Sequence, residues 1–108
     1  MIPSEIAREL MELTQTNRKG VDALYEAETV LARAEADLDK AEASALIQAT
    51  GSVAERQAIA KLEVSELRFQ RDLARAQVNR VRQKIRAIES EIMAQATIAK
   101  LMQAEMKL

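Results

Sequence analysis

Only three residues in this 108-residue chain interrupt a helix by their backbone chemistry: Pro3, Gly20 and Gly51. Proline lacks an N–H, and glycine in a helix interior costs about 1 kcal/mol relative to alanine. The stretches between them are rich in Ala, Leu, Glu, Arg, Lys and Gln, the strongest helix formers. A chain with so few breaks folds as a small number of long helices. The best boundary is Thr50-Gly51-Ser52-Val53-Ala54-Glu55. Gly51 can take the positive-φ conformation that closes a helix. Ser52 with Glu55 three residues later is a capping box that opens the next one. The expectation is one domain over 1–108, with a helix over 4–49, a turn at 50–52 and a helix over 53–106. The short connection makes the two helices antiparallel neighbours. The fold class is all-α, a long antiparallel helical hairpin of coiled-coil type.

The apolar spacing supports this. In the first helix Leu10, Leu24, Leu31 and Leu38 recur in one heptad series that also holds Asn17 and Ala45. The interleaved series holds Ile6, Leu13, Gly20, Ala27, Ala34 and Ala41, mostly small residues that admit a close partner backbone. The second helix carries Val64, Leu67, Arg71, Ala74, Val78, Val81, Ile85, Ile88 and Ile92 at 3–4 spacing. Counting outward from the turn places Leu38 opposite Val64, Leu24 opposite Val78 and Leu10 opposite Ile92. Residues after Ala99 then overhang the start of the first helix, and Ile98, Leu101, Met102, Met106 and Leu108 lack a partner. Gly20, following Arg18-Lys19, also resembles a helix end, so a kink over 17–20 competes with one unbroken helix. Asn17 at a seam position either fixes register or oligomer state, or is solvated beside Gly20.

Width of the apolar surface implies company. A second stripe on the second helix holds Ile59, Leu62, Phe69, Leu73 and Ala76. Helices of this length extend about 68 Å yet hide one face each in a lone pair. Hairpins are therefore expected to self-associate, most simply as a dimer forming a four-helix bundle. The overhang over 98–108 is a candidate docking segment for a protein partner, with its methionines suited to adaptable contact.

Composition removes several chemistries. The chain has no His, Cys or Trp, one Tyr and one Phe. Imidazole catalysis, thiolate metal sites, disulfides and aromatic base-stacking platforms are excluded. Glu35, Asp37, Asp39 and Glu42 cluster late in the first helix and read as a solvated acidic face. No enzyme, cofactor or metal is expected. From Arg68 to Arg86 seven cations (Arg68, Arg71, Arg75, Arg80, Arg82, Lys84, Arg86) stand against Asp72 alone. The first-helix segment opposite is balanced in charge, so the hairpin is not expected to neutralise this run. It would face nucleic-acid phosphates, or acidic stretches of another subunit or water; several helical angles are represented, which favours the second. Net charge is −1. No apolar run could span a membrane, and Met1-Ile2-Pro3-Ser4-Glu5 does not read as a signal peptide, so a cytoplasmic protein is expected.

The turn Gly51-Ser52-Val53-Ala54-Glu55-Arg56-Gln57-Ala58 resembles that of small helical-hairpin proteins of tailed bacteriophages and prophages. Those carry Gly-(Ser/Thr)-Val-Ala-(Glu/Asp)-(Lys/Arg) between two long helices. Ile88-Glu89-Ser90-Glu91-Ile92 is similar to their second helix. The resemblance implies a non-enzymatic accessory role in phage DNA recombination or replication in the host cytoplasm. An inhibitor that docks on a host protein through the acidic residues or the tail is the further alternative.

Overall fold

The computed structural model describes residues 3–106. Leu108, placed above in the overhang, lies outside them. The chain is an all-α helical hairpin with three helices: α1 (Pro3–Gln48), α2 (Val53–Glu63) and α3 (Ser65–Met106). No strand occurs among the described residues. Packing divides it into two units, a turn unit, Tyr25–Asn79, and a terminal unit, Met1–Leu24 with Arg80–Leu108.

In the turn unit, α1 ends at Gln48 and the chain reverses through Gly51, whose φ is +111°. A side chain is strained there, and a Cβ would also lie 2.6 Å from Glu55 Oε2. Ser52 is the N-cap of α2: its Oγ accepts from the Glu55 N–H at 3.2 Å. Arg56 completes the joint. Its guanidinium donates to the Leu46 carbonyl at 2.9 Å, one of the four that a helix end leaves without intrahelical partners. The seam beyond the turn is thin. Ala27, Leu38, Ala45, Ala60, Val64, Ala74 and Val78 are buried, and four of these seven carry only a methyl group.

The second helix is not continuous from 53 to 106, contrary to the sequence expectation. At Val64 the backbone leaves helical geometry (φ −100°, ψ 9°). Its N–H still reaches Ala60 O at 3.1 Å, and the Arg68 N–H reaches Val64 O at 2.9 Å. The deviation is a local distortion rather than a reversal. The valine side chain is buried in the seam at this point.

In the terminal unit, α1 runs through Asn17 and Gly20 without a break. Thr14 and Thr16 return their hydroxyls to the Leu10 and Glu12 carbonyls, which lets polar β-branched residues sit on a helix. The register differs from that counted out from the turn. Gly20 faces Ile85, and a Cβ on it would meet Ile85 Cγ1 at 3.0 Å. The offset is three residues, since counting from the turn reaches 82. It also corrects the overhang. Ala99 and Met102 close a cavity of about 150 Å³ with Pro3, Ile6, Ala7 and Leu10, so Met102 has partners within its own hairpin.

Two substitutions test the turn. Gly51→Ala should lower unfolding free energy by about 1–2 kcal/mol through strain at positive φ. Ser52→Ala should cost about 1 kcal/mol through the lost cap. Urea unfolding followed by helical ellipticity reads both, with Gln57→Ala, on an exposed helix face, expected within about 0.5 kcal/mol of the parent.

Candidate functional site

The seam residues read from the heptads divide by depth. Leu38 and Val78 are buried in the turn unit, and Val81 and Ile85 in the terminal unit. Leu10, Leu24, Leu31, Ile88 and Ile92 are half-buried. Asn17 Oδ1 and Gln95 Oε1, both in the terminal unit, are buried with no hydrogen-bond partner in the chain. This disagrees with a solvated Asn17 beside Gly20: the amide oxygen is sealed from water. Gln95 borders a depression of about 440 Å³ with Leu13, Thr16, Glu9, Glu12 and Glu91. Among the described residues no group of three or more Asp or Glu side chains is placed to hold a metal ion.

The basic run does not form one surface. In the turn unit Arg71 lies half-buried and donates to Asp72 Oδ1 at 2.8 Å. Arg75 reaches Glu35 Oε1 of α1 at 3.5 Å, so the hairpin does neutralise part of the run, against expectation. Glu35 lies outside the first-helix segment that counting from the turn sets opposite the run. Arg68 is half-buried. In the terminal unit Arg80, Arg82, Lys84 and Arg86 are exposed, and Arg82 is engaged within the chain. Of the acidic group, Glu35 is ion-paired, Asp37 and Asp39 are exposed, and Glu42 is half-buried.

The second stripe is left open. Within the turn unit Leu62 is 76% exposed, Phe69 54% and Leu73 49%, with Ile59 and Ala76 also exposed. On α1 of the same unit Val30 is 61% exposed. Between the helices runs a groove of about 300 Å³ whose sides are Val30 and Leu67 and whose floor is Ala34 and Ala74. Arg33 and Asp37 stand on its α1 rim. The heptad spacing marks the stripe but not the groove, which takes residues from both helices. Arg56 was also missed; the signal was an arginine in the first turn after the capping box, within reach of the preceding helix end.

No helix among the described residues is long and apolar enough to cross a membrane. No family model, curated protein or solved structure matches the chain.

The two orphaned amide oxygens set a prediction. Asn17→Leu or Gln95→Leu removes a buried unsatisfied acceptor and should raise stability by about 1 kcal/mol. Gly20→Val, which forces a branched side chain against Ile85, should lower it by about 1–3 kcal/mol. Thermal or urea unfolding at fixed protein concentration reads the sign of each.

Proposed function

We propose that this protein is a non-enzymatic, self-associating coiled-coil scaffold or adaptor of the cytoplasm. One observation carries the reading: large apolar side chains, Val30, Leu62, Phe69 and Leu73, remain in water on one 55-residue unit whose own seam is built largely from alanine. Burial of such side chains contributes about 1.5–3 kcal/mol each, a strong drive to find a covering surface. Isolated exposed apolar residues are ordinary, but a run at heptad spacing matches the seam of a coiled coil. The absence of His and Cys from the sequence supports a role without imidazole or thiolate chemistry. The phage-like turn, Gly51 to Ala58, supports a setting in phage DNA recombination or replication. In sedimentation equilibrium at micromolar concentrations we expect a mass twice the 12.0 kDa chain or more. A 12.0 kDa species that persists to several hundred micromolar would refute self-association.

A second reading has its own observation. Arg80, Lys84 and Arg86 in the terminal unit are exposed and make no ion pair or hydrogen bond among the described residues. Direct contact with nucleic-acid phosphates would use them. Binding would then weaken steeply as salt rises. Reversing the three charges should abolish a DNA mobility shift while leaving helicity intact. The scaffold reading expects no shift for either protein.

A further inference from the structure

We infer that the groove between α1 and α3 in the turn unit receives a second copy of this chain about a two-fold axis, with Arg33 of each copy against Asp37 of the other. The inference rests on the self-association reading and gives it a surface. The groove has a floor of alanines, Ala34 and the nearly buried Ala74, so an approaching helix can come close. Val30, 61% exposed, and Leu67 offer the apolar side chains that such an approach would bury. Gln70, also in the groove wall, donates its amide N–H to Glu66 Oε1 at 3.0 Å, so this N–H does not need an acceptor on the partner.

Charge selects the occupant. Arg33 and Asp37 lie four residues apart on α1, both exposed, and neither makes an ion pair or hydrogen bond among the described residues. A rim of one sign would call for a partner of the opposite sign and would repel a second copy. A rim carrying one charge of each sign is complementary to itself. When a two-fold axis passes between the two positions, α1 of each copy runs antiparallel to the other across the groove. Arg33 then falls against Asp37 twice, because an isologous interface repeats every pair. The alanine floor and the apolar walls are desolvated at the same step. A specific interface of ordinary size needs about 800 Å² from each partner, so the contact must extend beyond the groove and its rim pairs.

The test uses the full chain in sedimentation equilibrium. The parent should dimerise. Arg33→Asp and Asp37→Arg should each weaken the dimer about tenfold or more, since each sets like charges face to face. The double variant Arg33→Asp/Asp37→Arg restores both pairs and should recover parental affinity. An equimolar mixture of the two single variants should form a heterodimer tighter than either homodimer, because each provides the charge that the other has lost. Circular dichroism should show equal helicity throughout. If the parent dimerises and the single variants dimerise equally well, the self-association reading stands and this surface is wrong. If the parent stays monomeric at several hundred micromolar, both are wrong.

Discussion

The closeness of two helix backbones governs everything else in this molecule. Alanine and glycine at alternate seam positions of α1 bring the second helix in until Gly20 has no room for a methyl group without Ile85 giving way. Close approach makes a thin seam. A thin seam buries few methylenes, and the larger apolar residues Tyr25, Leu62 and Phe69 are left outside it. The hairpin therefore satisfies backbone geometry first and leaves hydrophobic burial incomplete. Short side chains in the seam and long ones on the surface have one origin.

The polar interactions add to this frame at its weak points. A reversal between two long helices leaves orphan carbonyls on one and orphan N–H groups on the other. Ser52 takes one donor and Arg56 takes one acceptor, and Gly51 supplies the backbone angle that lets both reach. Exposed pairs such as Arg75 with Glu35 tie α3 to α1 but are worth little against solvent and salt. Asn17 and Gln95 work against stability in the terminal unit, where buried acceptors without donors replace apolar packing. Polar residues in a seam restrict which alignments are tolerable, and the Gly20–Ile85 fit sets the alignment that is adopted.

Much of the architecture was legible because it depends on local chemistry. Gly51, Ser52 and Glu55 mark a turn by backbone and capping rules alone, and the heptads of leucine and alanine mark the seam. What local rules miss is the match between distant positions. Counting from the turn stops three residues short of Ile85, which the structure sets against Gly20. The same slip gives Met102 the company of Pro3 and Ile6, which no reading of residues 98–108 in isolation could supply. The distortion at Val64 is subtler, since its hydrogen bonds to Ala60 and from Arg68 persist. The groove beside Val30 needed both helices in place before Ala34 and Ala74 could be recognised as its floor.

Tyr25 has a practical corollary. It is the sole tyrosine in a chain without tryptophan, and it stands 73% exposed. Its ring is nearly as wet in the native hairpin as in an unfolded chain. Near-ultraviolet emission will thus be almost silent to unfolding, yet it will respond when another surface covers this part of α1. Far-ultraviolet ellipticity follows the helices themselves. The molecule carries two built-in optical channels, one for its own order and one for its neighbours.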